Sequence, residues 1–333
     1  MKTYLIRRLL LIIPTFIGIS FITFLIVQLS PGNPLMDKLR RGGEGMGAAA
    51  AAIPPEYIAE MKKLYGLDKP VPVRYAIWMK RLVLLDFGNS YKDQRPVLSR
   101  IAETLPITLQ LNFISILLVY VISIPLGVYS ATHPHSLKDA TVTFFLFILY
   151  SLPSFWLAML LMYFLGGGPY LHWFPVYGLN SQQAGEWPWY WWLLDRTWHL
   201  VLPVLCLTYA DLAGLSRYAR SGMANEIRQD YVRTAYAYGF PERTVVYKYA
   251  MRNSLIPIIT LLGALLPSII GGSVIIESIF SIPGMGRLAF EAILSRDYPL
   301  IMGILSITSM LTLAGLILSD VLYAIVDPRI RFD

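Results

Sequence analysis

The chain has 333 residues, of which 56% are hydrophobic and only 15% charged, where a soluble globular chain carries about a quarter charged residues. So little polar surface excludes a soluble protein and makes a lipid bilayer the default solvent. The net charge of +7 gathers in particular loops rather than in a nucleic-acid-binding patch, and a single cysteine, Cys206, excludes an intrachain disulfide framework.

Six apolar stretches reach the ~20 residues that a spanning helix needs: Leu9–Leu29, Leu105–Ser130, Ala140–Leu165, Trp198–Tyr218, Ile256–Ile279 and Leu300–Val326. The first follows a basic start (Lys2, Arg7, Arg8) but exceeds the ~7–15 residues of a signal peptide's apolar core. It ends in "QLSPGNP" rather than a cleavage site, so it reads as a retained first helix. Pro14, Pro125, Pro153, Pro203 and Pro267 interrupt several stretches. Such breaks are tolerated where neighbouring helices or water satisfy the freed carbonyls, which predicts a packed bundle around a pathway.

Between the first two stretches, "GGEGMGAAAAA" is low-complexity sequence, and "PPEYIAEMKKLYG" reads as a short helix closed by Gly66 with Ile58, Met61 and Tyr65 on one stripe. "VRYAIWMKRLVLLDFG" is a second amphipathic segment that either lies on the membrane surface or caps the bundle. "HPH" at His133–His135 supplies two ligands around a proline, which is no complete metal site. "EWPWYWWLLDRTW" reads as an interfacial aromatic belt or as a stacking platform.

Lysine and arginine counts orient the chain. With the N-terminus inside, the inner segments carry thirteen basic residues and the short outer loops three, Arg196, Arg287 and Arg296. The Ser30–Thr104 segment is too long for the positive-inside rule to apply. Both termini are therefore expected on the cytoplasmic side.

One inner segment, Arg217 to Asn253, is too polar for the bilayer. Met223, Ile227, Tyr231 and Ala235 recur every four residues and predict one helical face. Gly239 then suits a left-handed helix end, and Pro241 with Glu242 suits the first turn of a second helix. The prediction is helix, sharp bend, helix. Thr234, Ala235, Ala237 and Gly239 give the bend a small-residue surface on which another backbone can dock, flanked by Arg233, Glu242 and Arg243. A connector is the alternative reading, but connections between bundle helices usually run to only ~2–8 residues.

The stretch "QDYVRTA-x-A-x-G" followed by "RN-x-LIP" (Gln229–Gly239, Arg252–Pro257) resembles the cytoplasmic coupling loop, or "EAA" loop, of ATP-binding-cassette importer permeases. Its branch is the dipeptide/oligopeptide/nickel one. The similarity runs through the chain: "RRLLLIIPTFIGISFITFLI" with "SPGNP", "ETLPITLQL", "SIPLGV", "SLPSFWLAMLL", "GGSVIIESIFSIPGMGRL", "RDYP" and "DPRIRF". Two positions depart from the general loop pattern: Arg233-Thr234-Ala235 stands where Glu-Ala-Ala is usual, and Arg252 where proline is usual.

The resemblance implies an all-α polytopic membrane protein of six transmembrane helices in a bacterial or archaeal cytoplasmic membrane. It implies segments of 1–29 (N-terminus and first span), 30–104 (extracytoplasmic loop) and 105–333 (permease core, with its coupling loop at 217–253). Asp230, Tyr231, Arg233, Thr234, Ala235, Gly239, Phe240, Pro241 and Glu242 are then the ATPase-coupling residues. A paralogous permease, two ATPase subunits and an extracytoplasmic binding protein are the implied partners, with di- or oligopeptides the implied cargo. This chain has no phosphate-binding G-x-x-x-x-G-K-[ST] loop, so ATP and Mg²⁺ belong to the partner subunits. It carries no catalytic constellation and no cofactor of its own.

Two carboxylates fall in the apolar stretches and are candidates for the substrate pathway. Asp211 has no partner on its own helix and either lines the pathway or pairs with another helix. Glu277 either pairs with Arg287 or helps form an outer gate. Asp320 and Asp327 read as helix-end residues. The rival function, an ion-coupled secondary transporter without an ATPase, would need such carboxylates as ion sites.

Overall fold

The computed structural model describes residues 2–29, 69–167 and 169–326. Among them the chain is helical, and strand pairing is limited to two isolated bridges, Asn89 with Pro96 and Gly166 with His172. The helices are α1 (Lys2–Leu29), α2 (Val71–Val83), α3 (Val97–Thr132), α4 (Leu137–Ser151), α5 (Ser154–Leu165), α6 (Trp189–Ile227), α7 (Asp230–Ala237), α8 (Glu242–Thr244), α9 (Met251–Ser254), α10 (Ile256–Leu265), α11 (Val274–Ile279), α12 (Met285–Ser295) and α13 (Tyr298–Val326). A π-helical turn, Val245–Ala250, joins α8 to α9.

Four helices, α1, α3, α6 and α13, are each long and apolar enough to cross a membrane, and α4 with α5 makes a fifth passage bent by 102°. The bend falls at Pro153, one of the prolines expected to interrupt the Ala140–Leu165 span, and divides that span into two helices. Pro153 takes an extended backbone (ψ 138°) and begins α5 instead of continuing α4. The Leu152 carbonyl left over accepts a hydrogen bond of 2.5 Å from the Tyr209 hydroxyl on α6, the kind of side-chain rescue that makes a broken helix tolerable in hydrocarbon.

The stretch expected as one span over Ile256–Ile279 is also divided. After α10 the chain tightens into a 3-10 turn, Leu266–Ile270, then turns at Gly272 with φ +65° before α11. Pro267 has no N–H to continue a helical ladder, and Asn112 Nδ2 on α3 donates to the Ile269 carbonyl at 2.6 Å. None of these pieces alone has the length of a span.

Two expected ends move outward. α3 begins at Val97, just after Pro96, and α6 begins at Trp189, so the tryptophan-rich segment is partly helical. At 1.5 Å per residue the 39 residues of α6 run for roughly 58 Å, against ~30 Å of hydrocarbon. Its ends therefore stand clear of the bilayer. The tryptophans at the first end, Trp189 and Trp191, are exposed, as an aromatic belt requires.

The described residues fall into two compact units, one of residues 106–287 with 314–326, the other of residues 2–29, 69–105 and 288–313. In the first, α3 and α6 touch nearly backbone to backbone. A Cβ on Gly127 would lie 2.4 Å from that of Ala219 and 2.7 Å from the Ser216 carbonyl. Small residues permit such approach where packing, rather than water exclusion, drives helix association. A half-buried ion pair also ties α4 to α6: the buried Asp139 carboxylate accepts from the partly exposed Arg220 guanidinium at 2.9 Å.

Glu277 is the polar centre of this unit. It is 1% exposed and accepts from Thr108 Oγ1 at 3.0 Å, from the Arg287 N–H at 2.8 Å and from the Ser273 N–H at 3.3 Å. Thr108 in turn accepts from the Met285 N–H at 2.8 Å. A Cβ on Gly284 would stand 2.5 Å from the Glu277 carboxyl carbon. The expected pairing with Arg287 is thus realised through that residue's backbone N–H, and the glycines of "GGSVIIESIFSIPGMGRL" make room for a carboxylate that stitches α3, α11 and the turn into α12.

The second unit has its own buried carboxylate. Asp297, of the "RDYP" motif and 1% exposed, accepts from the Ser90 hydroxyl and from the N–H of Tyr91 at 3.0 Å, which fixes the turn that precedes α3. Beside it α2 packs on α1 through Tyr75 and Trp78 against Phe24 and Val27. The amphipathic reading of that segment holds. Asp320, read as a helix-end group, is buried within α13 instead. Asp327, "DPRIRF", "GGEGMGAAAAA" and the helix expected in "PPEYIAEMKKLYG" lie outside the described residues.

Candidate functional site

The polar segment between α6 and α10 forms a bent hairpin. α6 runs to Ile227, and Gln229 then takes an extended backbone (φ −72°, ψ 150°) that starts α7 in a new direction. This corrects the single helical face expected through Met223, Ile227, Tyr231 and Ala235. The side chains of α7 that face inward are Val232 and Ala235, three apart, both buried. They join Met223 of α6, Val128 of α3, and Val245, Val246 and Ala250 of the π turn in one apolar cluster.

The bend itself follows from Gly239. It closes α7 with φ +76°. Its N–H donates to the Tyr236 carbonyl at 2.9 Å, and the Phe240 N–H donates to the Ala235 carbonyl at 3.3 Å. This is the Schellman pattern, which satisfies the last carbonyls of a helix and favours glycine at the left-handed position. Pro241 then sits at the head of α8 with an extended backbone, and its carbonyl accepts from the Thr244 N–H at 2.8 Å. The Phe240 ring lies 5.7 Å from that of Tyr249, bracing the turn.

Of the coupling residues inferred from sequence, Asp230, Tyr231, Arg233, Thr234, Gly239, Phe240, Pro241 and Glu242 are all exposed. Ala235 is not: it faces the cluster beneath and supports the hairpin rather than its surface. The Thr234 hydroxyl donates to the Asp230 carbonyl at 2.8 Å and stays within its own helix. Arg233 lies 3.6 Å from Asp230, but both are open to solvent, and exposed pairs of this kind contribute little. The Tyr231 hydroxyl donates to the Glu226 carboxylate across the break between α6 and α7. Burial and that carboxylate push its pKa above the usual tyrosine range.

The tip is less small-featured than its sequence suggested. Tyr238 is 79% exposed, Tyr236 44% and Phe240 43%. Aromatic side chains left in water around a glycine turn are the residue types that anchor protein–protein contacts. Sequence reasoning passed over Tyr236 and Tyr238. The signal was available in Val232 and Ala235, whose three-residue spacing turns the tyrosines outward.

The two pathway carboxylates have opposite surroundings. Glu277 is enclosed as described, so its groups are already committed to packing. Asp211 lies on an exposed side of α6, and the space beside Gly214, one turn on, is open: no atom comes within 4 Å of a Cβ placed there. Among the described residues no three His, Cys, Asp or Glu side chains come together as a metal site, and His133 stacks on Tyr129 at 4.6 Å.

Comparison with known proteins finds two family profiles. One, described as "Binding-protein-dependent transport system inner membrane component", matches residues 123–332. The other, the N-terminal portion of such membrane components, matches residues 1–112. Among similar proteins is an oligopeptide transport system permease protein, AppB, of Bacillus subtilis, 40% identical over the whole of both chains. An inner membrane ABC transporter permease protein, YejB, of Escherichia coli O157:H7 is 37% identical, again over 100% of both. A dipeptide transport system permease protein, DppB, of Alkalihalophilus pseudofirmus is 35% identical, over 100% of both chains.

Proposed function

The chain belongs to the family of binding-protein-dependent transport system inner membrane components, and from that premise we propose that it conducts di- or oligopeptides, driven by ATP hydrolysis in partner subunits through the α7–α8 hairpin. It is a membrane permease subunit of the ABC importer kind. The observation that carries the coupling role is the hairpin's construction: a rigid Schellman turn with aromatic side chains outward and an apolar cluster beneath. A cytoplasmic ATPase cleft receives this tip, and closure of the ATPases on ATP moves it. A paralogous permease and an extracytoplasmic binding protein complete the assembly. The relatives named for oligopeptide and dipeptide transport support peptides as cargo.

In this reading the chain crosses the membrane six times, with α10 to α11 as the broken fifth crossing, and both termini face the cytoplasm. Cysteine labelling checks the orientation. A cysteine at Gln182 should react with an impermeant thiol reagent in intact cells and one at Glu242 should not, while Cys206, 2% exposed, stays silent. Labelling at Glu242 from outside would invert the topology and remove the hairpin from the ATPase.

Asp211 lines the route taken by the peptide, where its carboxylate meets the ammonium end of the cargo. Reconstitution into vesicles with the partner subunits tests both claims. Peptide uptake should require ATP and survive collapse of the proton gradient, and the isolated chain should hydrolyse no ATP. Asp211→Asn should lower uptake of free-amine peptides by about tenfold, a loss of ~1.4 kcal/mol, and spare N-acetylated ones. Uptake by this chain alone on an ion gradient would favour the secondary-transporter alternative, and equal loss for both peptide types would remove Asp211 from the pathway.

A further inference from the structure

The unit of residues 2–29, 69–105 and 288–313 contains a cleft of about 440 Å³ that the transport reading leaves unassigned. It opens beside Gln28, near the end of α1, and Tyr298, at the start of α13. Both helices are long enough to span the membrane, so the cleft sits where hydrocarbon gives way to headgroups. Its floor is apolar and aromatic, with Phe24 and Trp78 at 6.1 Å between ring centroids.

Its rim is cationic. Lys69, Arg74 and Arg81 line it, against one carboxylate, Asp86, which already accepts from the Gly88 N–H at 3.0 Å. Arg74 and Arg81 stand two turns apart on the same side of α2. No ion pair joins any of the three cations to a carboxylate among the described residues. The Arg74 Nε is buried without a hydrogen-bond partner, a costly state for a charged group unless something else supplies the acceptor.

Apolar side chains flank this rim. Val83, Leu84 and Leu85 are 75%, 70% and 57% exposed at the end of α2, as are Ile22 and Ile26 of α1 at 58% and 64%. A helix with basic residues on one side and open apolar residues beside them lies in the interface plane of a membrane. We propose that the cleft holds the phosphate headgroup of an anionic phospholipid, whose acyl chains run along the outward residues of α1. The guanidinium groups of Arg74 and Arg81 are the phosphate donors, Lys69 adds charge, and Trp78 packs against the glycerol.

Native mass spectrometry of the full chain, released from mild detergent containing equal phosphatidylglycerol and phosphatidylcholine, reads this directly. Two basic contacts at a membrane surface, ~1 kcal/mol each, correspond to a preference of roughly thirtyfold. The wild type should retain phosphatidylglycerol by about that factor. Arg74→Gln/Arg81→Gln should lose the preference, while Lys80→Gln, on the same helix but outside the cleft, should keep it. Equal retention of both lipids, or an undiminished preference in the double variant, overturns the proposal. Displacement of the lipid by equimolar inorganic phosphate would make the site one for free phosphate and overturn it too. Higher lipid occupancy in Glu56→Gln/Glu60→Gln would identify the chain's own acidic residues as the occupant. Should the double variant fail to fold, a headgroup-photoreactive phosphatidylglycerol on the wild type decides: crosslinks within residues 69–81 support the site, and crosslinks confined elsewhere overturn it.

Discussion

Gly239→Val is expected to leave a folded membrane subunit that no longer transports. The residue holds φ +76°, where any Cβ costs ~1–2 kcal/mol and a β-branched side chain more. Yet beyond its chain neighbours no atom comes within 4 Å of a Cβ placed there, so the first added carbon meets open space and the cost within the chain is the backbone strain. The backbone penalty weakens the turn, and the added bulk matters only to whatever receives it. Uptake and co-purification of the ATPase should therefore both fall by more than tenfold, with membrane insertion near wild type and only a modest loss of thermal stability, since the strain is confined to one exposed turn. Gly239→Ala should be milder, since it carries chiefly the backbone term, and Ala237→Ser should be close to neutral. Wild-type uptake in Gly239→Val with its ATPase still bound would reduce the hairpin to a connector.

The second large effect belongs to Glu277, and it falls on stability. Glu277→Ala removes the acceptor for the Thr108 hydroxyl and for two backbone N–H groups, of Ser273 and Arg287. Each buried donor left unpaired costs ~1–3 kcal/mol, so with three donors the variant should lose roughly 3–9 kcal/mol and accumulate poorly in the membrane. Glu277→Gln retains one carbonyl acceptor and should recover part of the loss. Gly284→Ala should mimic Glu277→Ala, because its Cβ would press on the same carboxyl group. Thermal unfolding in detergent, followed by intrinsic fluorescence, ranks the three. A Glu277→Ala subunit of normal stability but without uptake would return this carboxylate to the pathway.

The hairpin was legible because its determinants are local. Gly239 and Pro241 impose backbone angles by themselves, and the reading of helix, bend, helix rests on those two residues. The break at Arg228–Gln229 was not legible, since neither glycine nor proline marks it and the four-residue recurrence of Met223, Ile227, Tyr231 and Ala235 runs straight through. What starts α7 anew is tertiary: burial of Val232 and Ala235 in a cluster drawn from four elements. The early start of α3 was marked by Pro96 but lay outside the apolar window, because Arg100 and Glu103 lower the hydropathy of its first turns. Glu277 drew attention as a charge in an apolar stretch, whereas Asp297 stood only as part of the "RDYP" motif. Their roles stayed hidden, because partners such as Thr108 and Ser90 lie far along the chain and a one-dimensional pattern does not bring them near. The likeness in motifs gave the family where periodicity could give only a bundle.

The apolar cluster under α7 has a mechanical consequence. Val232 and Ala235 meet Met223 of α6 and Val128 of α3 in close packing, and packed interiors yield very little under load. Higher in the same unit, Gly127 and Ala219 lock α3 to α6 with almost no side-chain volume between them to deform. A force applied at Tyr238 or Phe240 is therefore not absorbed as local strain but shared at once by two of the longest helices in the chain. The π turn on the far side of Gly239 belongs to the same cluster through Val245, Val246 and Ala250, so it is clamped together with the helices it joins. In the coupling we propose, a stroke at the tip passes into α3, α6 and the π turn together.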